Sequence, residues 1–319
     1  MRVLVTGAKG FVGAALLPRL SRDSVACVAA VRREGVVSPG GIAESVVGNI
    51  GPQTQWALAL EGVNSVVHLA ARVHVMQDTA AEPLAEFRRT NVQASLNLAR
   101  QAAGAGVRRF IFVSSVKVNG EYTQAGQSFD ADGEPHPVGA YGISKMEAES
   151  GLRALAGESG MEVVIIRPPL VYGPGVKANF AAMMRWLHRG LPLPLGSVHN
   201  QRSLVALDNL VDLIAVCLRH PGAANQTFMT SDGEDLSTTR LLRCLGEALG
   251  KPARLLAVPP IVLTAGAALV GRRDIARRLC DSLQVDIGKT RRLLGWRPPV
   301  TVADALAETA RAFLQGVSA

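Results

Sequence analysis

The sequence predicts an α/β chain built on a doubly wound parallel sheet, with a smaller, less regular lobe toward its C-terminal end. Three observations carry that expectation. Short runs rich in valine and isoleucine alternate with stretches of helical spacing through residues 1–167. A glycine-rich turn joins the first of these runs to the first helix. From about Leu170 the alternation loosens, and proline or glycine recurs at 174, 175, 190, 192, 194 and 196.

The elements follow in order. Val3, Leu4 and Val5 are too short a run for a helix and are read as a buried strand. Phe11–Leu20 has the apolar spacing of a helix. Val25–Val31 is a second strand, Glu44–Asn49 a short third and Ser65–Leu69 a fourth. Glu82–Ala103 reads as one long helix, Arg109–Ser114 as a fifth strand, Tyr141–Ala156 as a helix and Met161–Arg167 as a sixth strand. Strands separated by helices imply βαβ units, in which ligands bind beyond the carboxyl ends of the strands.

Glycines 7, 10 and 13 span the first strand-to-helix turn in MRVLVTGAKGFVG. Without Cβ atoms this turn can be tight, and its amides can approach a diphosphate at the positive end of the helix. The GxxGxxG spacing departs by one residue from the GxGxxG fingerprint of a Rossmann-type site. The alternative is a turn that binds nothing. Its place between strand and helix favours the dinucleotide.

Composition narrows the function classes. A chain with 48% hydrophobic and 19% charged residues is globular and able to bury a large core. The net charge of +8 comes from arginines scattered among helices, and aromatics are only 4%, so no base-stacking surface is expected and nucleic acid is excluded as partner. The four cysteines, 27, 217, 244 and 280, form no CxxC pair, which argues for a reducing compartment and against a metal site. MRVLVTG enters a strand directly with no signal peptide, so a cytoplasmic protein is expected. The longest apolar stretch, Leu255–Gly271, is broken by Pro259 and Pro260. It falls short of the ~20 residues that span a bilayer, and is read as a core helix, with a membrane-surface contact as the alternative.

Tyr141 and Lys145 lie four apart on a predicted helix and share a face. A nearby ammonium favours a phenolate, which makes tyrosine a usable acid or base near neutrality. Ser115 supplies a hydroxyl just past strand five. Together with TGAKGFVG, VHLAAR (67–72), Asn91, FVSSVKVNG (112–120), YGISK and RPPLVYGPG (167–175), these residues resemble the extended short-chain dehydrogenase/reductase family, the nucleotide-sugar epimerase and dehydratase group. The resemblance covers nearly the whole chain.

The resemblance implies roles. Gly7, Gly10 and Gly13, with Lys9, Phe11 and Val12, would hold the cofactor diphosphate. Asn49, Ile50, Leu69, Ala70 and Ala71 would line the adenosine side. Asn91 would prop the active-site helices, and Pro168 and Leu170 would complete the cofactor cleft. Tyr141 would exchange a proton with the substrate oxygen, Ser115 would hydrogen-bond it, and Lys145 would bind the ribose and lower the tyrosine pKa. Asn179 and Arg202 would take the sugar-nucleotide diphosphate, and Lys117 is a further substrate candidate. Residues 1–169 would form the dinucleotide-binding domain. Residues 170–319 would be mainly the substrate lobe, with some segments returning to the sheet.

A 4,6-dehydratase normally has an Asp-Glu pair after the catalytic serine. Val116 and Lys117 stand there instead, and neither does that acid–base work at neutral pH. Strand two ends Val31-Arg32-Arg33, with the first acid only at Glu34. Arginine there, with Lys9, suits a 2′-phosphate, so NADP(H) is favoured and NAD(H) is the alternative. The stretches HLAARVHVM, SSVKVNGE and SLQVDIGKTRRLLGW resemble bacterial UDP-4-keto-6-deoxy-N-acetylhexosamine 4-reductases of O-antigen pathways. The expectation is therefore reduction of a C4 keto group on a UDP-sugar. The alternatives are an NAD-dependent C4 epimerase of a UDP-sugar or lipid-linked sugar, and a non-catalytic NADP-sensing protein. A homodimer through the helices around 82–103 and 141–156 is expected by the same resemblance.

Overall fold

The computed structural model of the chain describes residues 1–33, 42–73, 82–269, 271 and 273–318. Its strands are β1 (Arg2–Thr6), β2 (Ala26–Val31), β3 (Ala43–Val46), β4 (Ser65–His68), β5 (Arg109–Val113), β6 (Glu162–Arg167), β7 (Leu170–Tyr172), β8 (Arg202–Ala206), β9 (Thr227–Met229) and β10 (Asp235–Leu236). Seven of them form a parallel sheet in the order β3-β2-β1-β4-β5-β6-β9. The chain runs outward from β1 to β3, then crosses back to lay β4 on the other side of β1. That reversal opens a crevice at the carboxyl ends of β1 and β4, the place where open α/β sheets bind ligands. The fold is the predicted Rossmann-type α/β fold.

Strand periodicity explains why both faces are dry. Val3 and Val5 join Leu16, Leu20, Ile111, Val164 and Ile214 on one face. Leu4 joins Trp56, Leu98, Phe110, Phe112 and Leu152 on the other. Helices Phe11–Arg22 and Leu207–Arg219 supply the first layer, and Ala94–Gly104 and Gly139–Ser159 the second. A third core, including Tyr172, Phe180, Met184, Leu242 and Leu306, lies beside a three-stranded sheet in the order β10-β8-β7. β9, reached only after β7 and β8, returns to pair with β6.

Two predicted elements differ. The long helix at 82–103 is interrupted: helix Pro83–Phe87 passes through a π-helical turn, Arg88–Gln93, before the α-helix Ala94–Gly104. The wider turn follows from Asn91, whose buried side chain bonds outside the helix. The apolar stretch after Leu255 does form a helix, Pro260–Leu269, but it is no core helix, because none of its residues is buried. No described helix is long and apolar enough to cross a membrane.

Candidate active site

The glycine turn is built by contact rather than by flexibility alone. Gly7 has φ of +66°, and a Cβ there would sit 2.9 Å from the Ala70 nitrogen at the end of β4. A Cβ on Gly13 would lie 2.3 Å from the Gly7 carbonyl oxygen, so the helix can start tucked under the turn only with glycine at that position. Gly10 caps Phe11–Arg22 without a side chain, and the first turn carries no acid. The positive helix end is thus open to an anion. This cradle fits a dinucleotide diphosphate. Lys9, Arg32 and Arg33 are exposed near this edge of the sheet. Asn49 is exposed and Ile50 half-buried just past β3, while Glu34 and residues 74–76 lie outside the described residues.

A chain of hydrogen bonds links this turn to the helix Gly139–Ser159. The Thr6 hydroxyl accepts from the amides of Leu69 and Ala70, both at 3.2 Å, and meets His68 Nδ1 at 2.7 Å. His68 Nε2 is 2.8 Å from Ser95 Oγ, whose proton goes to the Asn91 carbonyl. His68 therefore carries its proton on Nε2 and accepts from Thr6 at Nδ1. Asn91 Oδ1 accepts from the Arg72 amide at 2.8 Å, and its Nδ2 donates to Ser144 Oγ at 3.0 Å. Ser144 donates to the Tyr141 carbonyl. A π-helical turn at a site-facing position is a frequent sign of function; here it aims Asn91 at both neighbours. Ala71 is half-buried in the same post-β4 loop.

Burial pushes the His68 imidazole down to about 3, and the neighbouring Lys145 charge adds to the drop. The unfolded chain then takes up a proton that the folded chain refuses as pH falls from about 6.5 toward 3. Stability from neutral His68 is complete above that range and lost through it. Unfolding by denaturant is expected to show about 1.4 kcal/mol less stability per pH unit below 6.5 from this group. In His68→Gln that part of the slope should vanish.

Tyr141, Lys145 and Ser115 come together beyond β5. Lys145 is buried, lies 4.3 Å from the centre of the Phe112 ring, and donates to the Val113 carbonyl at 2.9 Å. Burial lowers it to about 7, against an opposing pull from Glu149. Burial pushes the Tyr141 phenol up to about 12, and a hydrogen bond from Ser115 offsets part of that rise. The expected lowering of the tyrosine by Lys145 is not what governs it. The low-dielectric setting disfavours both charged forms, and the ammonium turns toward the Val113 carbonyl and the Phe112 face. Ser115 also caps the 3₁₀ turn Val116–Val118 by accepting from the Lys117 amide. Pro168 is buried and its carbonyl accepts from the Val116 amide at 3.0 Å, which holds this turn against the end of β6; Leu170 beyond it is exposed.

A cationic edge borders the serine. Lys117 pairs with Glu121 and is lowered to about 8 by burial, then by Arg278 and Arg202. Arg202, first residue of β8, donates to the Asp281 carbonyl at 3.0 Å. Asn179 is exposed in the first turn of the helix Ala178–His188. The sequence reading missed Thr6, His68, Ser95 and Ser144. The signal for His68 was present: a histidine that closes a short strand directly after two valines.

The model of the NAD dependent epimerase/dehydratase family matches residues 3–229. A Vibrio cholerae protein named UDP-glucose 4-epimerase is 49% identical over 314 residues, which cover 98% of this chain and 95% of that protein. The N-acetyl-alpha-D-glucosaminyl-diphospho-ditrans,octacis-undecaprenol 4-epimerase of Escherichia coli O157:H7 is 26% identical, over 96% of this chain and 93% of its own. Among solved structures, UDP-glucuronic acid 4-epimerase from Bacillus cereus in complex with NAD shares the fold, with a TM-score of 0.80, 20% identity and 99% of both chains covered. These relatives are named as 4-epimerases, not as the 4-reductases of the closer resemblance. The cradle at Gly7–Gly13, the tyrosine–lysine pair beyond β5 and a family match that takes in both agree, and the chain belongs to the NAD-dependent epimerase/dehydratase family.

Proposed function

We propose that the chain is an NAD-dependent C4 epimerase of a UDP-sugar. The observation that carries this reading is the 49% identity to a UDP-glucose 4-epimerase over nearly the full length of both chains. Residues 1–169 hold the cofactor and residues 170–319 mainly hold the sugar nucleotide. The turn Gly7–Gly13 takes the diphosphate of the cofactor, and Asn49, Ile50 and Leu69–Ala71 line its adenosine side. Pro168 and Leu170 close the nicotinamide end. NAD held by the Gly7–Gly13 cradle would supply reversible hydride acceptance at C4, and its positive charge would favour the Tyr141 phenolate. Tyr141 accepts the O4 proton as C4 is oxidised and gives it back when C4 is reduced from the other face. Ser115 hydrogen-bonds the same oxygen. Lys145 holds the ribose and keeps a positive charge beside the phenolate. Lys117, Arg202 and Asn179 hold the UDP diphosphate, where two cations offset two negative charges.

The test is incubation of the purified protein with UDP-glucose or UDP-N-acetylglucosamine. The expected result is a mixture of C4 epimers by NMR with no net change in reduced cofactor. Consumption of one NADPH per 4-keto sugar, with no epimerisation, overturns it.

A second reading, reduction of a 4-keto-6-deoxy UDP-sugar with NADPH, is favoured by one observation. Arg32 and Arg33 stand exposed at the carboxyl end of β2 with Lys9 in the adjoining turn. The mass of the cofactor released from the protein separates the two readings. If a 2′-phosphate sits there, Arg32→Ala/Arg33→Ala is expected to weaken NADP(H) by about tenfold or more, since a hydrogen bond to a charged group contributes about 1.5–3 kcal/mol. NAD(H) affinity, measured by the same titration, should stay within about twofold.

A further inference from the structure

The helix Pro260–Leu269, PIVLTAGAAL, is apolar all round yet buries none of its residues. Ile261 is 76% exposed and Leu269 90%, and Leu256 and Val262 are exposed by more than half. Only Leu263 packs in part against the third core. Isolated exposed apolar residues are ordinary, but a contiguous set rimmed by charge marks a surface that meets something. The rim is supplied by the next helix, Arg273–Cys280, which packs against the first. It buries Ala276, half-buries Leu279, and exposes Ile275 together with Arg273, Arg277 and Arg278.

An apolar helix beside exposed arginines is the composition of an element that lies in a membrane interface, with its apolar side among acyl chains and its cations at headgroup phosphates. Neither helix is long enough to cross. A second copy seated face to face on the same surface would bring two sets of arginines together on a chain already at net charge +8. Charge complementarity therefore selects an anionic partner.

We propose that the helices Pro260–Leu269 and Arg273–Cys280 dock the protein on an anionic lipid bilayer surface. The end of the second helix is hydrogen-bonded to the segments that carry the cationic edge. Asn200 Nδ2 donates to the carbonyls of Leu279 and Asp281 at 3.1 and 2.9 Å, and Arg202 donates to Asp281. The Thr123 amide donates to the Ser282 carbonyl at 2.8 Å. Docking thus sets the Lys117–Arg202 edge close to the lipid headgroups. The proposal does not depend on which sugar reaction the site performs.

The experiment is flotation of the full chain with vesicles of phosphatidylcholine alone, or of equal parts phosphatidylcholine and phosphatidylglycerol, in about 0.1 M salt. The protein is expected to float with the anionic vesicles and far less with the neutral ones. Ile261→Glu/Leu269→Glu and Arg273→Glu/Arg277→Glu should each lower the bound fraction by about tenfold. Circular dichroism and turnover of UDP-sugar in solution should stay as in the unaltered chain. Three results overturn the proposal: no flotation, flotation that survives Ile261→Glu/Leu269→Glu, or a dimer in sedimentation velocity that this pair converts to monomer. The second outcome means adsorption by charge alone. The third means that a second copy covers the surface.

Discussion

Tyr141→Phe is expected to lower kcat by about 10²–10⁴-fold, the range for loss of a positioned general acid–base group. KM for the UDP-sugar should change little, because the ring that packs edge-on to Phe87 is kept and only the hydroxyl is lost. Stability should fall by no more than about 1 kcal/mol, the net contribution of the one hydrogen bond lost, that with Ser115. Ser115→Ala should give a smaller loss with a shift of the pH profile upward. The Ser115 hydrogen bond favours the phenolate, so without it the tyrosine ionises at higher pH. Steady-state kinetics from pH 6 to 10 check both. An unchanged profile in Ser115→Ala removes the serine from the proton path.

Arg167→Met is expected to cost about 3–5 kcal/mol of stability, the penalty for leaving one partner of a buried ion pair alone. Arg167 Nε and Nη2 donate to the two carboxylate oxygens of Glu149 at 2.9 and 2.6 Å, with both side chains buried. Asn119 Oδ1 accepts from the same guanidinium at 3.1 Å. Arg153 also reaches Glu149 but is nearly half exposed, and so cannot replace the lost partner. Arg167→Met/Glu149→Leu should recover most of the loss, because two well-packed apolar residues need no counter-charge. Urea unfolding of the three proteins provides the comparison. The effect reaches the site as well. Glu149 is the group that holds the Lys145 pKa up, so Glu149→Leu should drop it below about 7 and reduce activity at neutral pH more than at pH 6.

The sheet was legible in the sequence because β1, β2, β4, β5 and β6 each contain an apolar run bounded by turn residues or by helical spacing. The glycine turn was legible because a Cβ at position 13 meets the Gly7 carbonyl, a steric demand that only one residue type meets. Where information is non-local, the reading stopped. RRTNVQ contains no helix breaker, and its π-helical turn arises from bonds to Arg72 and Ser144, far apart in the chain. Strands β7–β10 are two to five residues long and gain their identity only from partners. Arg167 looks like a charge misplaced at the end of an apolar strand, and Glu149 like one more surface charge on its helix, until they are seen together. Apolarity of residues 260–269 says that the helix should be covered, not that the rest of this chain covers it.

The position of β9 also constrains the order in which the chain can finish itself. The sheet's last strand follows β7, β8 and the helix Leu207–Arg219 in sequence, yet it pairs with β6. A growing chain therefore carries β6 with a bare parallel edge until Met229 has left the ribosome. A fragment cut near residue 169, where the sequence changes character, would keep that edge permanently, and an unpaired strand of this kind recruits its own copies.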